Sequence, residues 1–484
     1  WGSTLVETAG FSKSVKASLD NSALLRQGWK TVWTNPGIWL KNAGKSFVDI
    51  ARSVGGAEVM AEVNADIQSR PNAMKGLYAK EKLAIGNVEE AFPSHFPEKI
   101  PGLGRIFKGS EAAYTSFLFR MRADIFDKYI TVAKKSGADT EGLGHLVNSL
   151  TGRGHLGALE PVANVVNNVF FSPRFLKSQI DVLTAHTFDK KASGWVKKQA
   201  AINLLKVLTG TAAVLAIAKA IAPDSVDFDP RSSDFGKIRV GDTRFDVTGG
   251  MNSLFVLAAR LATGQSKSGE TKQITDLNSG KFGDPTKLDV VYNFFEGKLS
   301  PAASVMKDLL KGENFNGEKP TVLNEAINLF VPLPITNAIE TYKNPNSAPL
   351  VVTMIADGLG IGTSTYSKKV KTLDASNPEQ ATLVAELQRL NKLDQMPGIA
   401  DFSNPQGRLG ELKTQIGEEK FKDAEKFYQA EYTEKFTKLM ESTTYKNMKA
   451  DIKKARIEKI SEGAVAKTLK EFKFKRTRKE HVED

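Results

Sequence analysis

The sequence predicts a mainly α-helical protein, a multi-helix elongated assembly with one small β-hairpin near residues 237–247. Three observations carry this. Apolar residues recur at three- and four-residue spacing through most of the chain, the period of one helix face. Gly and Pro stand at the ends of those stretches. Period-two alternation appears at Lys237–Val240 and again at Thr243–Val247.

From the N-terminus, Ser14–Trp33 reads as a helix ended at Asn35-Pro36-Gly37. Ile38–Ser53 is a second, closed by Gly55-Gly56, and Ala57–Gln68 a third, stopped before Arg70-Pro71. Ala73–Ala84 runs into a Pro-rich loop (Phe92-Pro93, Phe96-Pro97, Ile100-Pro101-Gly102), the first expected hinge. Ser110–Lys135 is a long helix with aromatics at Tyr114, Phe117, Phe119, Phe126 and Tyr129. Arg120, Arg122 and Lys128 are interleaved with them. That mixture suits single-stranded nucleic acid, but helical aromatics more often build a core, with the arginines paired to Asp124 and Asp127. Thr151-Gly152-Arg153-Gly154-His155 lacks the Lys-Ser or Lys-Thr of a P-loop and reads as a buried turn. A helix at Pro161–Val169 follows, then Phe170-Phe171-Ser172-Pro173-Arg174-Phe175 and a helix to His186.

The chain is organised around Ile202–Thr263. Ile202–Ala222 is an apolar helix with no charge between Lys206 and Lys219. Ala212, Ala216 and Ala220 recur every fourth residue, a small-residue stripe that another helix can approach closely. With Gly210 they are the candidate packing or membrane residues. A spanning helix needs about 20 apolar residues, so this one qualifies if Lys206 and Lys219 snorkel or pair. A buried core helix is the other reading, and burial of the stripe against helices is expected in an assembled form. Asp224, Asp227, Asp229 and Asp234 follow, without the spacing, central Gly or terminal Glu of a Ca²⁺ loop. Gly241-Asp242 predicts a type II′ hairpin turn. The hairpin is expected to anchor a helix at Met251–Thr263, whose apolar face is Leu254, Leu257, Ala258 and Leu261.

Gln265–Lys287 reads as an exposed polar loop. Helices are expected within Leu288–Lys311 and Val322–Tyr342. Gly358, Gly360 and Gly362 do not make a dinucleotide fingerprint. From Asn377 the chain becomes a charged helical arm, Pro378–Lys392 and Glu411–Lys475, ending in a basic tail. Lys473, Lys475, Arg476, Arg478 and Lys479 are the candidate contacts to nucleic-acid or phospholipid phosphates. The expected organisation is residues 1–102, an N-terminal helical region; 103–265, a central core; 266–376, a loop-rich helical region; and 377–484, the arm.

Composition sets limits on the chemistry. The net charge of +12 over 484 residues favours an anionic partner, nucleic acid or phospholipid. With no cysteine, thiol catalysis, disulfides and cysteine-ligated zinc are excluded. The five histidines form no His-Glu-x-x-His pair, and there is no Gly-x-Ser-x-Gly elbow. No catalytic, cofactor or metal residue is expected. The first residue is Trp, which suggests a piece of a longer polypeptide.

Several phrases together resemble the C-terminal region of the large polyvalent proteins of phages and mobile elements. They are Arg70-Pro71-Asn72-Ala73, Ser110-Glu111-Ala112-Ala113-Tyr114, Arg122-Ala123-Asp124-Ile125-Phe126-Asp127, Thr151-Gly152-Arg153-Gly154, Phe170-Phe171-Ser172-Pro173-Arg174 and 229–238. The resemblance covers about residues 20–370. It implies a virion-carried polyprotein that enters the host with the DNA, and it carries over no catalytic residue. The function expected is a non-enzymatic internal or ejection component, packed near portal, tail or DNA. It would form a homo-oligomer and meet the host membrane, envelope or cytoplasm after delivery. The alternatives are a packaging or scaffold region of a larger virion-carried enzyme, and a basic nucleic-acid-binding module.

Overall fold

A computed structural model describes residues 11–16, 21–86, 104–269, 274–278, 285–311, 320–344, 346–365, 378–393, 395, 397–400 and 408–474. The protein is mainly α-helical, 70% of it, with a few small antiparallel sheets.

The N-terminal elements are α1 (Trp29–Thr34), α2 (Pro36–Val54) and α3 (Val59–Gln68). Pro36 opens α2, where its missing N–H costs nothing, and Gly55 caps its end. The first predicted helix is interrupted. Residues 11–16 are helical, and Ala23–Gln27 forms a π-turn before Gly28. A Cβ on Gly28 would lie 2.3 Å from the Leu24 carbonyl oxygen, so the tight turn requires glycine. The helix expected at Ala73–Ala84 is split into Pro71–Met74 and Leu77–Lys80, because Gly76 takes a φ of +68°. The Pro-rich hinge expected at 92–102 lies outside the described residues.

The core forms around α4 (Gly104–Ser136), which is buried on nearly every side. Tyr114, Phe117, Phe119, Phe126 and Tyr129 are all buried, so these aromatics are core. Their arginines pair elsewhere than expected. Arg120 pairs with Asp49, and Arg122 bonds the Thr151 hydroxyl at 3.0 Å and the Ala84 carbonyl at 2.9 Å. Asp124 and Asp127 instead face Arg70 at 2.8 and 3.4 Å. This hydrophobic cluster runs from Ala23 to Ala200 and takes in α5 (Leu143–Leu150), so it crosses the boundary expected at 102/103. The glycine-rich turn is buried at Thr151, Gly152 and Gly154 and exposed at His155; Gly152, at φ +82°, packs on Gln27.

Next come α6 (Pro173–Leu183) and α7 (Gly194–Ile221). The hairpin forms as β1 (Lys237–Val240) and β2 (Thr243–Asp246), antiparallel, with Lys237 opposite Asp246. Gly241 alone of the turn pair has a positive φ, +58°. A third strand, β3 (Gly362–Thr365), adds to β2 with Thr243 opposite Thr365. It joins the sheet across the boundary expected at 265/266. Helix α8 (Asn252–Thr263) starts on the hairpin: its Asn252 N–H donates to the Thr248 hydroxyl at 3.1 Å. Its buried residues are Asn252 and Val256, not the predicted Leu254, Leu257, Ala258 and Leu261. The expected loop at Gln265–Lys287 contains a short antiparallel pair, Gln265–Lys267 with Ile274–Asp276.

Helices α9 (Lys287–Glu296), α10 (Pro301–Lys311), α11 (Val322–Phe330), α12 (Leu333–Lys343) and α13 (Leu350–Leu359) follow. The arm comprises α14 (Pro378–Lys392), α15 (Arg408–Ile416), α16 (Glu418–Glu441) and α17 (Ala450–Glu471), with its own clusters. One cluster stacks Tyr428 on Tyr432 at 5.7 Å with Phe436 beyond, and the leucines of α14 complete it.

Candidate assembly and membrane surface

The apolar helix α7 is 28 residues long, longer than predicted because Gly194–Ala201 joins it. At a rise of about 1.5 Å per residue it spans about 42 Å. That exceeds the roughly 30 Å of bilayer hydrocarbon. The Ser193 side chain caps it by accepting from the Val196 N–H at 3.3 Å. Its length and composition are those of a spanning helix, and only 28% of its most apolar window is buried.

The buried part is one narrow stripe, Val196, Ala200, Asn203, Val207, Thr211 and Leu215. Tyr129 donates to the Asn203 side chain at 3.0 Å, and the Trp29 indole donates to Thr211 at 3.2 Å. Gly210 lies against Trp33 so closely that a Cβ would sit 2.2 Å from the indole. Of the four candidate residues, then, Gly210 makes a close packing contact. Ala212, Ala216 and Ala220 are exposed, and among the described residues no helix covers their stripe. The contact face lies one residue away, because the polar partners Asn203 and Thr211 fix the helix rotation. The outward side carries Ile202, Leu205, Leu208, Ile217 and Ile221, the last 80% exposed. Lys219 folds over Phe228, 5.5 Å from its ring centre, and bonds the Val226 carbonyl.

Other helices also turn apolar faces outward. Helix α2 buries the small polar residues Asn42, Ser46, Asp49 and Ser53 against α4 and exposes Leu40, Phe47 and Val48. Its partners explain the inversion: Ser46 bonds the Ala113 carbonyl at 3.2 Å, and Ser116 donates to Asp49 at 2.6 Å. Leu288, Tyr292 and Phe295 are exposed at one-face spacing on α9, as are Ile335, Ile339 and Tyr342 on α12. On α13 the exposed residues are Val351, Val352, Met354 and Ile355. Apolar stripes this extensive are uncommon on a surface left to water. The sequence shows each helix as amphipathic, yet which face turns inward depends on polar partners more than 60 residues away.

The acidic turn is structural. Asp229 holds Arg231 at 2.8 Å, Lys267 lies 3.3 Å from Asp227, and Asp234 meets the buried Arg244 at 3.3 Å. Arg231 beside it keeps the Asp229 carboxyl well below the usual carboxylate range. Among the described residues no group of three or more His, Asp or Glu could hold a metal ion. Lys473 is exposed just past α17, while Lys475, Arg476, Arg478 and Lys479 lie outside the described residues. No family model, curated protein or solved structure matches this chain.

Proposed function

We propose that the chain is a non-enzymatic component of a phage particle, an internal or ejection protein packed near portal, tail or DNA and delivered with the genome. The exposed apolar side of α7 is the observation that carries this reading. Several copies, or neighbouring virion proteins, cover that side together with the outward faces of α2, α9, α12 and α13. After delivery the host membrane replaces them around α7. The phage context rests on the phrases that resemble those of large polyvalent proteins. The net charge of +12 suits contact with DNA in the particle and with anionic headgroups afterwards.

Mass spectrometry of purified particles tests the first half: the chain is expected at several copies per particle, and its absence rejects the reading. Vesicle flotation tests the second: the purified chain is expected to float with phosphatidylglycerol vesicles and to keep α7 protected from protease. Recovery only in the soluble fraction, at low and high salt alike, rejects the membrane role.

A further inference from the structure

A cavity of about 950 Å³ opens between the N-terminal segment, α6, the α9–α10 turn and the α12–β3 region. No residue of α7 lines it, and it shares Phe295 with the exposed face of α9. Its size is at the upper end of small-molecule sites, roughly 300–1,000 Å³. One part of the wall is apolar: Leu159, Val166, Phe170, Phe171, Phe295 and Leu299. The other part is cationic. Lys16, Arg26, Lys177 and Lys298 line it; Lys177 pairs with Asp181, and among the described residues no ion pair is seen for the other three.

The cations are held in place by the fold. Lys16 is only 5% exposed and donates to the Ile327 carbonyl at 3.2 Å. Burial pulls its ammonium down to about 8. Arg26 packs on the backbone of β3, where a Cβ on Gly362 would lie 2.7 Å from its Nη2. Lys298 lies over the Phe294 ring at 5.3 Å and reaches the Ser253 hydroxyl at 3.4 Å. Burial lowers its ammonium pKa, the charges of Arg26 and Lys237 add to this, and Asp246 opposes it.

The carboxylates on the same wall already have partners. Asp357 accepts from the Thr363 hydroxyl at 2.6 Å and from Asn337 at 3.0 Å, and Asp308 lies 2.7 Å from Lys307. Two of the wall's amides are similarly engaged: Gln179 donates to the Gly249 carbonyl at 2.8 Å, and Asn337 to Asp357 at 3.0 Å. What remains open is positive charge beside hydrocarbon. Lys16 is buried and Lys298 half-buried, which is costly for a cation and is offset by an anion, while Arg26 on the same wall is exposed and adds its charge.

We propose that this cavity binds a single amphiphile with one anionic head, held at Arg26 and Lys298, with its alkyl chain along the Phe170–Phe171 and Leu299 wall. The head is a carboxylate or a phosphate, from a free fatty acid or a lysophospholipid.

The test uses the purified full chain and the fluorescent fatty acid cis-parinarate. Saturable binding is expected, with displacement by oleate, by lysophosphatidylglycerol, or by both. Displacement by oleate alone identifies the fatty acid, and by the lysolipid alone the phosphate head. Dodecanol, which has no charge, is expected to compete far more weakly. The double variant Arg26→Gln/Lys298→Gln is expected to bind at least about tenfold more weakly with an unchanged melting curve. Val166→Trp, which fills the apolar end, is expected to weaken every competitor together. Absence of saturable binding to the wild-type chain overturns the proposal. So does equal binding by the double variant, or full displacement by inorganic phosphate alone.

Discussion

At the scale of single residues, the fold confines several charges that the sequence shows only as members of a basic composition. Lys30 is 2% exposed, with its ammonium 3.1 Å from the Ser178 hydroxyl and 5.7 Å from the Phe175 ring centre. Burial pulls its pKa down to about 7, against the attraction of Asp181. Below about pH 7 both folded and unfolded chains are protonated and the burial penalty is full. Between about pH 7 and 10.5 only the unfolded chain keeps the proton, so stability rises with pH across that window. Lys30→Met is expected to gain about 1–3 kcal/mol at pH 7.5 and to flatten that rise; urea melts across the pH range measure it. Arg70 is the opposite case, a cation that is needed. It bridges Asp66 at 3.0 Å, Asp124 at 2.8 Å and Asp127 at 3.4 Å. Arg70→Ala is expected to cost about 2–3 kcal/mol, because Asp124 stays half-buried without its main partner; the same melts read this. Neither role is legible in the sequence, since Asp124 and Asp127 look like partners for the arginines on their own helix.

At the scale of elements, legibility follows from how local the cause is. The hairpin was readable because Gly241-Asp242 sets the turn and the alternation sets both strands. Helices such as α2, α4 and α7 were readable from period and breakers. The rotation of α7 was not, because Trp29, Trp33 and Tyr129 decide it. Strand β3 was also hidden: in Gly362–Thr365 the four residues read as the end of a glycine repeat, and only pairing with β2 makes them a strand. The two sides of α7 give opposite predictions. Gly210→Val pushes into the Trp33 ring and is expected to cost about 1–3 kcal/mol in thermal melts. Ala216→Arg points outward and is expected to change chain stability by less than about 0.5 kcal/mol. It is nevertheless expected to abolish vesicle flotation and particle incorporation, since a long charged side chain would need burial there. Loss of stability in the second variant, with flotation intact, would mean that the stripe packs within the chain.

At the scale of the whole molecule, the arm keeps its core to itself. Leu383, Leu387, Tyr428, Tyr432, Phe436 and Ile457 bury one another, and the Gly398 N–H donates to Glu458 at 2.9 Å. A fragment of residues 378–474 is expected to be helical and to melt cooperatively on its own; a non-cooperative circular-dichroism melt would show that it depends on the body. The change of composition at Asn377 made this unit visible in the sequence. The cavity cations were invisible there, since Lys16, Arg26 and Lys298 are spread over more than 280 residues and only the fold brings them to one wall. The placement of β3 also has a mechanical consequence. Thr365 is the last described residue before the arm, the end of a four-residue strand whose last pair is Thr365 with Thr243. Pulled from that end, an antiparallel strand opens one rung at a time instead of shearing all its rungs together. A chain drawn tail-first through a narrow channel would therefore begin to unravel at low force, from the edge of its three-stranded sheet.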